Sequence, residues 1–219
     1  MLSSFYAAAQ DTPPFQVISP VTTSEFDNTE LLEQRTLFTQ ALASIEAKNW
    51  EKLRFELGNL VDYPLYPYLI YLDLVANLSI TEITKISNFL ETYPDSVLAD
   101  RLRSKLLKYL ANEKQWDLYL NYYEEASASV ERKCFYNFAR LKHSDHRNVI
   151  KNALELWTVG HSQPKACDQL FATLLALGLL DDEHAWLRFK QALLQNNLSL
   201  ARYAKGFMTN KATINHAMS

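Results

Sequence analysis

A repeat of 32 to 34 residues runs through most of this chain and constrains its fold more than any other feature. Apolar residues recur at helical spacing, and alternate helices are predicted to begin near five evenly spaced positions, Leu32, Pro64, Ser96, Val130 and Pro164. Trp50 and Trp116 open the second helix of the first and third pairs, each two residues after a lysine. A fixed period of this length is typical of stacked helix hairpins that bury their apolar faces against their neighbours.

The predicted fold class is therefore all-α, a right-handed α-α superhelix or solenoid of tetratricopeptide-like helix hairpins. The chain has only four glycines in 219 residues, which suits packed helices better than strands with tight turns. The strict tetratricopeptide consensus is absent, so a simple multi-helix bundle is the alternative. Within the third pair, Asp95 after Pro94 is the predicted N-cap of a helix that runs to Asn112.

Residues 1–28 are predicted to be an extended or disordered arm, because they carry Pro13, Pro14 and Pro20 and have no helical period. The first ten residues end in small side chains, as before a signal-peptidase site, but they lack a basic start. A signal-peptide remnant and a disordered start both remain open. Residues 29–219 are predicted to form one superhelical domain that stops before a capping hairpin. Whether that end is apolar enough to drive dimerisation stays open at this point.

Composition disfavours several classes of partner. The net charge is −3 with both signs interspersed, so nucleic acid is not expected, and no apolar run reaches the roughly 18 residues of a membrane span. No metal or cofactor site is predicted: His143 and His146, with Asp145 between them, are interpreted as solvated residues. The acidic clusters at 124–125 and 181–183 are interpreted as helix ends rather than catalytic carboxylates.

Cys134 and Cys167 are the only two cysteines, and they fall at similar places in consecutive repeats. Equivalent helices of a solenoid lie side by side, so the two residues are expected to face one another at the roughly 5–6 Å between Cα atoms that a disulfide needs. Such a bond would contribute about 3–4 kcal/mol in the chain-entropy model. It would also indicate an oxidising compartment. Two separate buried thiols are the alternative.

Three segments carry unusual strings. Residues 62–69 read Asp-Tyr-Pro-Leu-Tyr-Pro-Tyr-Leu, and residues 133–137 read Lys-Cys-Phe-Tyr-Asn. In residues 155–171, Glu-Leu-Trp is followed by Gly160 and then by Ser-Gln-Pro-Lys-Ala-Cys-Asp-Gln-Leu-Phe. These strings resemble the soluble lytic murein transglycosylases and fall at that family's relative positions. The resemblance covers most of the region from about residue 30 to residue 200.

The resemblance implies a long N-terminal superhelix joined to a lysozyme-like domain. In that family the latter domain cleaves peptidoglycan between N-acetylmuramic acid and N-acetylglucosamine and leaves a 1,6-anhydro end. Its glutamate, in a Glu-Ser motif followed by a Gly-Leu-Met-Gln motif, acts first as acid and then as base. Neither motif occurs in these 219 residues, so no catalytic residue is carried over. The chain is interpreted as the non-catalytic scaffold of a periplasmic enzyme, inactive alone, whose full-length form binds peptidoglycan strands.

Tyr63, Tyr66 and Tyr68 have two interpretations. Their rings are suited to stacking on sugar rings, and equally to packing between adjacent hairpins with their hydroxyls in solvent. The alternative to the scaffold function is a stand-alone solenoid that binds a protein or peptide partner, or cell-wall fragments, in its groove.

Overall fold

The computed structural model describes residues 28–142 and 146–210, and the regular structure within these ranges is entirely helical. The α-helices of the described residues are α1 (Asn28–Glu46), α2 (Trp50–Leu57), α3 (Tyr66–Ala76), α4 (Ile83–Thr92), α5 (Val97–Asn112), α6 (Trp116–Tyr122), α7 (Val130–Lys142), α8 (His146–Trp157), α9 (Asp168–Ala176), α10 (Asp182–Leu194) and α11 (Leu198–Lys205). Short 3₁₀ turns at Ile80–Glu82 and Lys165–Cys167 precede α4 and α9. The all-α prediction is confirmed, whereas the predicted arm lies, except for its last residue, outside the described ranges.

The chain divides into two compact units between Tyr63 and Pro64, so the predicted domain 29–219 spans both units. In the first unit, α1 and α2 pack together as a hairpin. The Ser44 hydroxyl of α1 donates a hydrogen bond to the Glu56 carboxylate of α2 at 2.7 Å, and both side chains are buried. The buried carboxylate therefore has the polar partner that burial demands.

Helices of the second unit pack in a row. Helix α5 lies between α3 and α7, and α7 lies between α5 and α9. The intervening helices α4, α6 and α8 each contact the helix before and the helix after them in the chain. This contact pattern is that of hairpins stacked side by side. The row helices begin at or within a few residues of the expected repeat starts.

The core of the second unit follows from the helical spacing of its leucines. In α5, Leu102, Leu106 and Leu110 recur every four residues on one face, and all three are fully buried. They belong to one apolar cluster built from α3 to α6. Trp116 packs against this cluster and also against the next one, which α7 to α9 form. A single aromatic side chain thus joins the cores of consecutive hairpins.

Several helix ends require a backbone in the left-handed region. Of the described residues, those with positive φ are Lys48 at 54°, Lys114 at 56°, Asn196 at 55° and Gly178 at 68°. After α5, for example, the Gln115 N–H donates to the Leu110 carbonyl at 2.9 Å, the bond that closes a Schellman motif. The lysine two residues before each tryptophan is therefore the left-handed residue at which the first helix of the pair ends.

Asp95 is not the N-cap of α5, so that prediction is wrong by one residue. Ser96 has the extended backbone of an N-cap, with φ −83° and ψ 144°. Its hydroxyl accepts a hydrogen bond from the Ala99 N–H at 3.0 Å. The cap must come from the last non-helical residue, because only that side chain reaches the free N–H groups of the first turn.

Replacing Lys114 with glycine is expected to raise the free energy of unfolding by about 0.5–1 kcal/mol. A non-glycine residue in the left-handed region costs roughly 1–2 kcal/mol, and glycine removes that cost. Glycine also loses more backbone entropy on folding, so the net gain in stability is smaller. The matched control is Lys108→Gly within α5, also at an exposed lysine, which should lower stability by about 1 kcal/mol. Urea denaturation followed by circular dichroism measures both. Equal destabilisation by the two variants would contradict the backbone assignment.

Candidate functional site

A disulfide joins two consecutive hairpins of the second unit. Cys134 of α7 and Cys167 of the 3₁₀ turn before α9 are bonded, with their Cα atoms 4.9 Å apart. Both residues are fully buried, within an apolar cluster that includes Phe138 and Leu170. Cys167 lies just before its α-helix rather than inside it, but the expected approach of the two residues is present. Neither residue offers a free thiol.

Trp157, the last residue of α8, lies at the centre of an aromatic group beside this disulfide. The tryptophan is fully buried, and its ring meets those of Phe171 and Phe207 edge to face, at 5.1 and 5.3 Å between centroids. Such geometry places the positive edge of one ring on the negative face of another. Trp157 belongs to the Glu-Leu-Trp string, so that string supplies a core residue.

Arg188 of α10 covers the other side of Trp157. Its side chain is 3% exposed, and its guanidinium carbon lies 4.3 Å from the Trp157 ring centroid and 5.5 Å from that of Phe171. One guanidinium nitrogen donates a hydrogen bond to the Trp157 carbonyl, at the C-terminus of α8. Burial lowers the pKa of Arg188, although an arginine remains charged. A cation at a helix C-terminus is favoured by the helix dipole.

A cleft of about 440 Å³ opens beside Arg188. Its walls come from the segment before α9, from α9 itself, and from α10 and α11. Phe171 and Tyr203 supply aromatic surface, and polar side chains, among them Ser162, Asp168 and Ser199, line the rest. The cleft therefore combines one buried cation, two rings and several hydrogen-bonding groups.

Gly160 allows α10 to approach the end of α8. A Cβ atom at this buried position would lie 2.3 Å from the backbone oxygen of Gln191, closer than any real contact. The Asn197 side chain also donates a hydrogen bond to the Gly160 carbonyl at 3.4 Å. The glycine of the matched string is thus required by close backbone packing.

The three tyrosines of the 62–69 string have different environments. Tyr63 belongs to the first unit, is 8% exposed, and lies 5.3 Å from Phe38 between ring centroids. Tyr66 and Tyr68 belong to the second unit, in the first turn of α3. Tyr66 is half-buried, and burial raises its pKa. Tyr68 is 38% exposed, with the Tyr71 ring 6.4 Å away.

The Lys-Cys-Phe-Tyr-Asn string contributes a second polar and aromatic group. Tyr136 stacks on Tyr123 with centroids 3.8 Å apart. The Tyr123 hydroxyl donates a hydrogen bond to Glu125 at 2.6 Å, and Lys133 forms an ion pair with Glu125 at 2.9 Å. The Tyr123 hydrogen bond, followed by that of Lys133, lowers the pKa of Glu125. This carboxylate is held ionised by partners rather than free to exchange a proton.

Arg188 and the cleft beside it were not predicted from the sequence. The signal was present, because Arg188 lies three residues after Ala185 and four before Ala192, both buried. An arginine at a position of the apolar stripe is rare unless its charge is compensated. The cleft itself could not be predicted, since its walls come from four segments whose packing the sequence does not specify.

The described residues contain neither a metal-binding cluster nor a membrane-spanning helix. In residues 28–142 and 146–210 no group of three His, Cys, Asp or Glu residues is placed to hold a metal ion. The imidazoles and carboxylate of 143–146 lie outside what the structure describes. No helix within the described ranges is both long and apolar enough to cross a bilayer.

Stacked hairpins with a fixed repeat make this chain an all-α superhelical repeat protein. No family model matches it. Soluble lytic murein transglycosylases of Escherichia coli (strain K12) and Salmonella typhimurium are 30% and 29% identical to it, over 80% and 81% of this chain. The chain is homologous to these soluble lytic murein transglycosylases, as a partial, N-terminal-like region. It spans 27% and 28% of the length of these two relatives.

Solved structures agree with this assignment. The crystal structure of the 70 kDa soluble lytic transglycosylase from Escherichia coli matches with a TM-score of 0.73 at 28% identity, covering 85% of this chain and 31% of that one. An inactive mutant of the lytic transglycosylase from Pseudomonas aeruginosa matches with a TM-score of 0.71 at 29% identity, covering 84% and 31%. The predicted superhelical fold is confirmed, and so is the predicted homology with soluble lytic murein transglycosylases, over about four-fifths of this chain.

Reduction of the Cys134–Cys167 disulfide is expected to lower the free energy of unfolding by about 3–4 kcal/mol, because the bond links residues 33 apart. Urea denaturation with and without reductant measures the loss. The control is the double variant Cys134→Ala and Cys167→Ala, whose midpoint should not respond to reductant. An unchanged wild-type midpoint, with two thiols titrated after reduction, would contradict this contribution.

Substitution of Gly160 by alanine is expected to destabilise the chain by about 2–3 kcal/mol, since the new methyl group collides with the backbone of α10. Gly58→Ala is the matched control. Its Cβ would lie 3.5 Å from the nearest atom, an ordinary contact, and its φ of −59° suits alanine. That variant should stay within about 0.5 kcal/mol of wild type. Thermal unfolding compares them, and similar losses would refute the close-approach explanation.

Proposed function

We propose that this chain is the non-catalytic scaffold region of a periplasmic soluble lytic murein transglycosylase. The observation that carries the proposal is the match to that family in both sequence and fold over about four-fifths of the chain. In the proposed whole enzyme, other residues cleave peptidoglycan between N-acetylmuramic acid and N-acetylglucosamine. The region described here supplies stacked hairpins that hold those residues and their glycan strand.

The disulfide supports the periplasmic location. A bond between Cys134 and Cys167 persists in an oxidising compartment, whereas cytosolic thiols are kept reduced. Its position between consecutive hairpins also suits a scaffold, because a cross-link there resists separation of neighbouring repeats.

The acidic residues support a role without catalysis. A lytic transglycosylase needs a glutamate that holds a proton near neutral pH, which requires a raised pKa. The resolved pKa shifts among the described carboxylates are downward instead. The Tyr123 hydroxyl lowers the pKa of Glu125. The His184 backbone N–H lowers that of Asp181, and the Thr209 hydroxyl lowers that of Asp182. Asp181 is the N-cap of α10, in agreement with the helix-end interpretation. Such groups are poor general acids.

Packing is the role we propose for two of the three tyrosines. Tyr63 is buried against Phe38, and Tyr66 is half-buried, so little of either ring is left for a sugar. Tyr68 has the most exposed ring of the three and is the one suited to stacking on a glycan.

The purified chain is expected to release no 1,6-anhydromuropeptides from peptidoglycan sacculi, because its 219 residues contain neither the Glu-Ser motif nor the Gly-Leu-Met-Gln motif. A peptidoglycan gel zymogram and mass spectrometry of the soluble products measure this, with a lysozyme as the positive control for the substrate. Anhydro products that scale with the amount of chain added would overturn the non-catalytic assignment.

The gene distinguishes an enzyme scaffold from a stand-alone solenoid. A reading frame that continues beyond codon 219 to a Glu-Ser motif and then a Gly-Leu-Met-Gln motif is the result expected for the scaffold. A stop codon directly after that position would overturn the proposal in favour of a separate binding module.

A further inference from the structure

The second unit buries a charged donor without a matching acidic acceptor. Arg188 is 3% exposed, yet no carboxylate of the described residues forms an ion pair with it. An ion taken out of water costs several kcal/mol unless it is paired or otherwise compensated. The Trp157 ring and carbonyl compensate part of this cost, through cation–π attraction and one hydrogen bond.

Two hydrogen-bond donors at the contact between Arg188 and Trp157 have no acceptor in the described part of the chain. The Arg188 Nε–H has no acceptor among the described residues, and neither does the indole N–H of Trp157. Buried donors of native proteins nearly always find an acceptor, from the protein, water or a ligand. Two unpaired donors in one contact group therefore indicate a shortage of acceptors at this point of the fold.

The Arg188 side chain also forms part of the wall of the 440 Å³ cleft. This volume lies in the range of small-molecule sites, roughly 300–1,000 Å³. A planar guanidinium is matched best by a planar anion such as a carboxylate, which accepts two parallel hydrogen bonds. Ser199 and Leu200 of the cleft lie in the first turn of α11, where the helix dipole adds further positive potential.

The remaining walls suit a sugar ring. Tyr203 is 53% exposed and offers aromatic surface to the apolar face of a pyranose. Ser162, Gln163 and Asp168 provide donors and acceptors for hydroxyl and amide groups. The exposed carboxylate of Asp168 accepts from hydroxyls but repels a second negative charge, so the ligand should carry one acidic group.

We propose that this cleft binds a carboxylate-bearing sugar, with the carboxylate on Arg188 and the ring against the exposed Tyr203. The choice of sugar rests on the proposed function, because peptidoglycan contains N-acetylmuramic acid beside the neutral N-acetylglucosamine. The lactyl carboxylate of N-acetylmuramic acid is free wherever no stem peptide is amide-linked to it. The site would let the scaffold hold a glycan strand that is bare of stem peptides, apart from any residue that cleaves it.

Titration of the ¹⁵N-labelled chain by NMR at pH 7 tests the site with three probes: N-acetylmuramic acid, N-acetylglucosamine and lactate. The acidic sugar should bind at least about tenfold more tightly than the neutral one, as a charge-assisted hydrogen bond is worth roughly 1.5–3 kcal/mol. Shifts should cluster on the amides of α10 and α11. Lactate, which carries the carboxylate without the sugar ring, should bind at least about tenfold more weakly than N-acetylmuramic acid.

Two variants at one exposed position separate binding from folding. Ser199→Glu places a carboxylate at the mouth of the cleft, where it competes with the ligand for the Arg188 guanidinium. This variant should bind N-acetylmuramic acid at least about tenfold more weakly than wild type. Ser199→Gln has the same shape without the charge and should bind within about threefold of wild type. The position is exposed and lies in the first turn of α11, so both variants are expected to fold.

Three results would overturn the site. These are equal binding of the acidic and neutral sugars, no binding of N-acetylmuramic acid, and unchanged binding in Ser199→Glu. Binding of lactate as tight as that of N-acetylmuramic acid would overturn the ring contact and hence the assignment of the ligand as a sugar. None of these bears on the scaffold proposal, which depends on the zymogram and the reading frame; a chain that cleaves peptidoglycan would overturn that proposal without changing the titration.

Discussion

Burial of each hairpin's apolar face against the next hairpin is the contact on which the rest of this structure depends. Helices α3, α5, α7 and α9 lie in a row, and none of them could bury its leucines alone. The left-handed residue at a helix end matters for the same reason, since the reversal at Lys114 directs Trp116 into both adjacent cores. Stability in such an array is a sum of neighbouring contacts rather than the property of one central core.

The region from α8 to α11 departs from this simple scheme. There the buried Trp157 ends α8, the Arg188 guanidinium of α10 lies over its ring, and Gly160 lets α10 approach. A polar group buried in a core has to be held by specific partners, and Arg188 is held by a carbonyl and two rings. This is the part of the unit where packing alone does not explain the choice of residues.

The repeat, the helix starts and the disulfide could be predicted, because each depends on spacing along the chain. Trp50, Trp116, Cys134 and Cys167 all lie where the period places them. The N-cap of α5 was missed by one residue, because choosing between adjacent Asp and Ser requires knowing which residue has extended backbone. The cleft beside Arg188 was missed for a different reason, as it depends on how α9, α10 and α11 come together.

One covalent bond changes how this array opens. In a stack of neighbouring contacts, a terminal hairpin ordinarily frays while the rest stays folded. The Cys134–Cys167 bond ties the hairpin of α7 to the start of α9, so these two repeats cannot separate one at a time. The cross-link makes them a single cooperative block. Amide hydrogens inside that block therefore exchange with solvent only when both repeats open together.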